Sequence, residues 1–379
     1  MVTASARLQI PAHMGASERV CGGTIREGMT NPRPPIPPVP PVRVAAIGLD
    51  HGHIFGMTRA VLDAGAELVW YAHPDAEGLA AAYAKAHPNA RAVAEPQQIL
   101  EDPSIQLVLC AAVNADRASI GLEVMRHGKD FMTDKPGVTT LEQFAELRRV
   151  QAETGRIYSV CFSERFENRA TVRAGELVAQ GAIGRVLQTV GLGPHRVNAP
   201  SRPAWYFERA RYGGILCDIA SHQMDQFLHF TGAREARVVA SRIANHAHPE
   251  FPELEDFGEA LLEGDGCSGY LRVDWFTPDG LSSWGDGRLT LLGTDGFIEI
   301  RKNVDLVGRP DGSHLFLVDG KETRYVDCSQ VELPYGRQLL ADVVNRTETA
   351  MPQAHCFRAC ELALEAQAGA VRLGPGQRA

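Results

Sequence analysis

The sequence of 379 residues contains no apolar run long enough to span a membrane, and its first residues lack the continuous apolar stretch of a secretory signal. It also lacks an excess of basic residues: the formal net charge is −8, which argues against nucleic acid or an anionic membrane as a partner. The eight cysteines form no CxxC pair, and scattered single thiols are typical of a reducing compartment. These absences favour a cytoplasmic globular protein.

Proline, in contrast, is abundant before the first apolar segment. Residues 31–41 read Asn-Pro-Arg-Pro-Pro-Ile-Pro-Pro-Val-Pro-Pro. Proline has no amide hydrogen to donate, so such a run cannot enter the interior of a helix or sheet. We therefore expect residues 1–41 to form a disordered extension.

From residue 42 onward, short apolar runs alternate with helical segments. The predicted strands cover residues 44–47, 67–71, 105–112, 130–133 and 157–162, and helices are expected between them. Strands that alternate with helices at this spacing indicate a parallel sheet with helices on both faces. The sequence thus predicts an α/β fold that begins with a doubly wound Rossmann domain over residues 42–165.

The second half has several strand-like runs joined by turns. They cover residues 186–191, 236–243, 256–262, 269–276, 288–292 and 297–302, and two helices follow near the end of the chain. This order predicts an α+β domain over residues 166–379, built on a large, mostly antiparallel sheet. Because an open sheet face often pairs with a second subunit, we expect a homodimer or homotetramer.

The turn after the first strand is an atypical dinucleotide-binding turn. A GxGxxG sequence is expected there because glycines let the backbone approach a pyrophosphate at a helix N-terminus. Only Gly48 is in register; Asp50 and His53 replace the other two glycines, and Gly52 offers a shifted alternative. Asp50 would repel a pyrophosphate unless its side chain points away or caps the helix. The candidate cofactor residues of this turn are Gly48, Leu49, Asp50, His51 and Gly52.

The same turn permits a metal interpretation. Asp50, His51 and His53 offer the oxygen and imidazole ligands that transition metals accept. Histidines in a glycine-containing turn are more often ordinary loop residues, and the spacing at a helix start is awkward for ligation. We therefore expect no metal.

Two further positions bear on the cofactor. His73 stands after the second strand, where an NAD site has an acidic residue that bonds the ribose hydroxyls. Histidine there could contact the 2′-phosphate of NADP, or Asp75 could replace the missing acid, so NAD and NADP both remain open. Asn114 follows the third strand at the expected ligand crevice, where it could bind ligand, cap a helix, or do both.

Two motifs far apart carry the acid/base chemistry. One is Asp134-Lys135-Pro136; the other is a Gly-Gly pair followed by Asp218 and His222. On one helix, Asp218 and His222 would lie a turn apart, and the carboxylate would raise the pKa of the imidazole and fix its tautomer. Lys135 could polarise or deprotonate a substrate hydroxyl. Taken alone, the Asp218–His222 spacing also fits a purely structural pair.

Together with two other segments, these motifs resemble the Gfo/Idh/MocA family of oxidoreductases, the relatives of glucose-fructose oxidoreductase and inositol dehydrogenase. Residues 134–136 match the family's Glu-Lys-Pro triplet, and residues 213–222 match its GGGxxxDxxxH motif, with Tyr212 in place of the first glycine. Residues 202–205 match an RPxW segment, and residues 293–296 match a GTxG turn. The resemblance runs from about residue 42 to about residue 373.

The resemblance implies a Rossmann domain that binds NAD or NADP, a substrate domain, and chemistry at their junction. It implies that Lys135 contacts the substrate hydroxyl and the cofactor and that His222 is the acid/base. Asp218 would position that histidine or bind substrate, and Trp205 would lie near the cofactor. One departure is Tyr206, where the family usually has arginine.

Three functions compete at this point. The leading one is an NAD(P)-dependent oxidoreductase that acts on a sugar, polyol or related hydroxy compound. The second keeps NAD tightly bound and catalyses glycoside cleavage or epimerisation by transient oxidation. The third is a regulatory binding protein with impaired cofactor affinity, which is motivated by Asp50, His53 and His73.

Overall fold

The apolar runs of the first half form a six-stranded sheet in which every neighbouring pair is parallel. The computed structural model describes residues 41–72 and 78–374. The strand order is β3-β2-β1-β4-β5-β6. The strands are β1 (Arg43–Leu49), β2 (Glu67–Ala72), β3 (Arg91–Val93), β4 (Leu107–Ala111), β5 (Asp130–Asp134) and β6 (Tyr158–Cys161). All residues of β4, β5 and β6 are buried, as expected for strands covered on both faces.

The helices that follow these strands are α1 (Ile54–Leu62), α2 (Gly78–Ala86), α3 (Gln97–Glu101), α4 (Arg117–Arg126) and α5 (Leu141–Thr154). α5 begins with a side-chain cap, in which Thr140 accepts a hydrogen bond from the Gln143 amide. The predicted doubly wound sheet is confirmed. The expected extension, apart from Pro41, lies outside the described residues, and so does His73.

The second half forms a nine-stranded sheet in the order β14-β13-β12-β11-β7-β10-β9-β8-β15. Its strands are β7 (Val186–Pro194), β8 (Ala236–Ala244), β9 (Phe257–Gly264), β10 (Cys267–Asp274), β11 (Arg288–Gly293), β12 (Gly296–Arg301), β13 (His314–Asp319), β14 (Thr323–Val326) and β15 (Val371–Arg372). Only the β7–β10 and β8–β15 pairs are parallel. The predicted mostly antiparallel sheet is therefore confirmed.

The remaining helices are α6 (Ser163–Phe166), α7 (Arg169–Ala179), α8 (Arg209–Tyr212), α9 (Ile215–Asp218), α10 (Ser221–Thr231), α11 (Tyr335–Asn345) and α12 (Gln353–Ala368). Short 3-10 turns cover Asn114–Asp116, Ala199–Ser201 and Ala204–Phe207.

α12 joins the two halves, because its apolar side chains belong to the same buried cluster as the first sheet. The ring of Phe357 stacks on Tyr158 of β6 at 5.5 Å and meets Phe144 of α5 edge-on. α12 also packs against α9 and α10. It therefore carries the Asp218 and His222 segments to the first sheet.

Candidate active site

Lys135 follows β5 at the carboxyl end of the parallel sheet, the edge where doubly wound folds bind ligands. Its ammonium is buried and lies 3.0 Å from Asp218 Oδ1, at the end of α9. The Tyr206 hydroxyl donates to the other oxygen of Asp218 at 3.3 Å. Once Asn114 is included, three stretches that are remote in the sequence, near residues 114, 135 and 206–218, meet at this carboxylate.

Asn114 is almost wholly buried, and its amide donates to the Tyr212 carbonyl at 2.9 Å and to Asp218 at 3.4 Å. Its side chain makes no capping hydrogen bond at the 3-10 turn that it begins. The helix-cap interpretation of Asn114 is therefore wrong. The residue holds the Asp218 segment against the end of β4.

The electrostatics of this pair keep both groups charged. Burial alone would lower the pKa of Lys135, but the Asp218 carboxylate raises it above the usual value. Burial would raise the pKa of Asp218, and the Lys135 ammonium lowers it instead. Burial raises the pKa of Tyr206 to about 12, so its hydroxyl keeps its proton. Lys135 is thus a hydrogen-bond donor at neutral pH.

The expected pairing of Asp218 with His222 on one helix is wrong. The helical register breaks between them: the Ala220 amide bonds the Ile215 carbonyl, and the His222 amide bonds Ile219. Asp218 therefore ends α9, whereas His222 lies in the first turn of α10.

The expected rise in the pKa of His222 is also wrong. Burial lowers the pKa of His222 to about 3, and the carboxylate that most opposes this effect is Glu164. His222 is therefore neutral near pH 7, and its Nδ1 is buried without a hydrogen-bond partner within the described residues.

Glu164 belongs to a buried polar cluster that the sequence did not reveal. Its Oε2 lies 2.5 Å from Lys302 Nζ, which follows β12, and accepts hydrogen bonds from Gln223 and Gln226 of α10. Glu164, Lys302 and His222 line the same cavity as Lys135. This cavity has a volume of about 450 Å³ and is called the central cavity below.

Arg117 is a second residue that sequence reasoning missed. Its guanidinium is fully buried at the start of α4, donates to the carbonyl oxygens of Ala112, Lys135 and Pro136, and lies 3.1 Å from Asp134 Oδ2. The backbone that carries Lys135 is therefore fixed by a charge inside the fold.

His51 and His53 also turn toward Asp134. Their Nδ1 atoms lie 3.3 Å and 2.9 Å from its carboxylate oxygens. The three side chains place donor atoms within 4.8 Å of one another, which is close enough to hold a metal ion. Asp134 already neutralises Arg117 and accepts the Lys135 amide at 2.8 Å, so hydrogen bonding accounts for the grouping. The absence of a metal remains a prediction.

The β1–α1 turn has features that suit a dinucleotide. Gly48 has a φ of +79°, and a Cβ there would lie 2.5 Å from the Ala112 Cβ, so only glycine permits this approach of β1 to β4. Gly52 faces open space. Asp50 and Gly52 line a second cleft of about 320 Å³ with Trp205.

Other predicted residues of this turn differ from expectation. The Leu49 side chain is buried in the core, so only its backbone is available to a ligand. Asp50 does not cap α1, whose N-terminus carries no side-chain cap.

Arg202 adds a cation to the cleft: its guanidinium stacks on Tyr206 and Trp275 and donates to the carbonyls of Val197 and Arg196. Taken together, the turn and cleft fit a dinucleotide.

Comparison with known proteins supports this interpretation. Residues 42–162 match the oxidoreductase family with an NAD-binding Rossmann fold, and residues 171–299 match the GFO/IDH/MocA C-terminal domain. The structure of a candidate oxidoreductase from Erwinia carotovora atroseptica is 48% identical, with a TM-score of 0.85 over 88% of this chain and 100% of that one.

The chain belongs to the GFO/IDH/MocA oxidoreductase family. A curated relative in the family is the NAD⁺-dependent scyllo-inositol 2-dehydrogenase of Bacillus subtilis, 27% identical over 78% of this chain and 84% of its own length. The NADP⁺-dependent enzyme IolW of the same organism is 28% identical over 47% of this chain, and the match spans only half of its length.

A levoglucosan dehydrogenase solved with NADH and levoglucosan shares the fold, with 18% identity and a TM-score of 0.71 over 87% of this chain and 98% of that one. By the family match over residues 42–162, the N-terminal domain is an NAD-binding Rossmann fold, and its cofactor is a nicotinamide dinucleotide, NAD or NADP. Within residues 41–72 and 78–374, we find no helix with the length and apolar character needed to cross a membrane.

Proposed function

We propose that this GFO/IDH/MocA protein is an NAD(P)-dependent dehydrogenase of a sugar, polyol or related hydroxy compound. The observation that carries the proposal is the buried Lys135–Asp218 pair, whose lysine lines, together with His222, a polar cavity next to the dinucleotide turn. The curated scyllo-inositol dehydrogenases support the substrate class. The bound nicotinamide would supply the hydride acceptor or donor.

Lys135 and His222 divide the proton chemistry between them. Lys135, held charged by Asp218, donates a hydrogen bond to the substrate oxygen and stabilises negative charge that develops there. His222 is neutral and therefore in the form that accepts the hydroxyl proton. Asp218 positions Lys135 rather than His222.

The cofactor-contacting residues remain part of the proposal. The backbone of residues 48–52, with Asn114, Lys135 and Trp205, would border the dinucleotide, and His73 is retained as the candidate for ribose or 2′-phosphate recognition. We also propose residues 42–165 and 166–379 as the two domains, a cytoplasmic location, and a homodimer or homotetramer. The buried, unpaired cysteines of the described residues support a reducing compartment.

The first experiment measures binding of NADH and NADPH by fluorescence and then NAD(P)⁺-dependent oxidation of scyllo-inositol and D-xylose. Lys135→Met and His222→Gln should each lower kcat by about 100-fold or more, the range of a positioned acid/base group. Lys129→Met is the matched control, since this lysine is also buried but precedes β5 and donates to the carbonyls of Asp102 and Ile105.

Other outcomes separate the competing functions. Near wild-type kcat in either site variant would contradict the assignment of that residue. Product formed without accumulation of reduced cofactor would favour transient oxidation with bound NAD. If none of NAD⁺, NADH, NADP⁺ and NADPH binds, the result would favour a regulatory binding protein.

A further inference from the structure

The central cavity has a second polar wall besides the one that Lys135 forms. It is formed by Glu164 of α6 and Lys302 after β12, whose side chains are 9% and 3% exposed. Removal of two opposite charges from water is costly, and the attraction between them offsets that cost only when further hydrogen bonds complete the pair. Gln223 and Gln226 supply those bonds here.

The pair is nevertheless incomplete on both sides. Within the described residues, all hydrogen bonds to the Glu164 carboxylate go to Oε2, from Lys302, Gln223 and Gln226. Oε1 accepts no hydrogen bond from these residues. It is also not fully buried, so it remains accessible. Lys302 Nζ has three hydrogens and makes two hydrogen bonds to residues that the structure describes, Glu164 and Gln226 Oε1, the latter at 2.7 Å.

A free carboxylate oxygen beside a free ammonium hydrogen is complementary to a hydroxyl group, which both donates and accepts. Because Lys302 is already neutralised by Glu164, this wall offers little attraction to a carboxylate or phosphate, which the Glu164 oxygen would repel. The wall therefore suits a neutral polyhydroxylated compound rather than a sugar acid or sugar phosphate.

The wall is also tied to the proposed acid/base. Gln226, which bonds both Glu164 and Lys302, donates to the backbone carbonyl of His222 at 2.9 Å. Glu164 and Lys302, which would bind the substrate hydroxyls, are thus themselves hydrogen-bonded to the helix that carries His222.

We infer that Glu164 and Lys302 are specificity-determining residues that bind a pair of adjacent hydroxyl groups of a neutral substrate, away from the carbon that is oxidised. This inference rests on the proposed dehydrogenase function. It assigns Glu164 as the acceptor and Lys302 as the donor for those hydroxyls.

The test compares Glu164→Gln and Lys302→Met with wild type, using the polyol that is turned over in the assay above. Each variant should lower kcat/KM by about 10- to 100-fold, the effect of losing a hydrogen bond to a charged group, mainly through KM. NADH binding should stay within twofold of wild type, which shows that the fold and the cofactor site are intact. Lys302→Arg keeps a charged donor and should recover part of the loss.

The chain offers a matched control. Arg165 and Asp225 form another buried pair between α6 and α10, but neither residue lines the central cavity. Asp225→Asn should leave KM within twofold of wild type, even if it lowers the temperature of unfolding.

Monodeoxy derivatives of the same polyol show whether the contact is direct. For one derivative, kcat/KM should fall about 10- to 100-fold with wild type but much less with Glu164→Gln. The missing hydroxyl and the missing charge each remove the same interaction, so their effects should not add. Wild-type kcat/KM in both wall variants, or an equal loss for every derivative in wild type and variant, would overturn the inference. If wild type binds no NADH and oxidises no polyol, the proposed function fails first, and this inference fails with it.

Discussion

Arg117 is the residue on which the geometry of Lys135 depends most. Its guanidinium is 0% exposed, donates to the carbonyls of both Lys135 and Pro136, and forms an ion pair with the Asp134 carboxylate at 3.1 Å. Arg117→Met should lower the free energy of unfolding by about 3–5 kcal/mol, because Asp134 would stay buried without its guanidinium partner. Urea unfolding would measure this loss.

Arg346→Met provides the comparison. Arg346 also pairs with a buried carboxylate, Asp130, but its own side chain is 40% exposed, so water can reach the vacated site. Its loss should therefore be the smaller of the two. Equal losses would mean that burial of the guanidinium does not control the energetics at Arg117.

The neutral state of His222 makes stability depend on pH. Burial lowers the pKa of His222 from 6.5 in the unfolded chain to about 3 in the fold. As the pH falls, the unfolded state therefore binds the proton before the folded state does. The stability that neutral His222 allows is fully present above pH 6.5 and is lost progressively as the pH falls from 6.5 toward 3. Between pH 7.0 and 5.5, His222 alone should reduce the free energy of unfolding by about 1 kcal/mol.

Urea titrations at these two pH values would measure the change in wild type and in His222→Gln. The variant should lose about 1 kcal/mol less than wild type between them. An identical loss in both proteins would show that another group causes the acid sensitivity.

The sequence predicts the position of a residue correctly where its neighbours in the chain determine that position. It does not predict contacts between segments that meet only in the folded protein. Lys135 was expected at the end of a buried strand, and it lies there. Glu164 and Lys302 are 138 residues apart and carry no local pattern that marks them as partners. The Asp218–His222 spacing suggested a pair, but a break in the helical hydrogen bonding separates the two residues.

At the scale of elements, the β1–α1 turn contains a natural pair of test positions. Gly48→Ala would place a methyl group 2.5 Å from the Ala112 Cβ at a φ of +79°, so it should destabilise the fold by about 2–4 kcal/mol. Gly52→Ala meets nothing within 4 Å and has no positive φ, so its stability should change by less than about 0.5 kcal/mol.

The same two variants test the proposed path of the cofactor. If the dinucleotide crosses this turn, Gly52→Ala should weaken NADH binding about tenfold, equal to about 1.4 kcal/mol, without loss of stability. Fluorescence titration with NADH and urea unfolding separate the two effects. Unchanged NADH affinity in Gly52→Ala would mean that the cofactor does not approach the turn at this residue.

Most elements were predictable because their apolar periodicity is strong. The parallel strands β1, β2, β4, β5 and β6 lie where the buried runs indicated. The short edge strand β3 escaped prediction because its three residues are mostly exposed and carry no periodic pattern. The β13–β14 hairpin was also missed, although its strands flank an Asp-Gly turn and bury alternate residues such as Leu315 and Leu317.

At the scale of the whole molecule, helices cover one face of the nine-stranded sheet, and the other face is open among residues 41–72 and 78–374. Gly191 of β7 packs against Gln223 of α10, so the neighbouring residue Val190 points to the opposite face. Register places Val190 and Leu261 on either side of Tyr270 across β7, β10 and β9, and Leu292 lies opposite Phe297. The open face therefore carries apolar side chains among charged ones such as Arg272 and Glu259.

Leu261 and Leu292 are 47% and 44% exposed on this face, and their burial against a second copy of the chain would remove them from water. Light scattering after gel filtration should then give wild type a multiple of 41.2 kDa. Leu261→Arg and Leu292→Arg should each shift the protein toward 41.2 kDa, because a charge at the centre of such an interface is desolvated without a partner. Leu306→Arg is the control, since this leucine is 61% exposed but lies in the loop after β12. A wild type of 41.2 kDa, or face variants that keep the mass of wild type, would contradict assembly through the sheet.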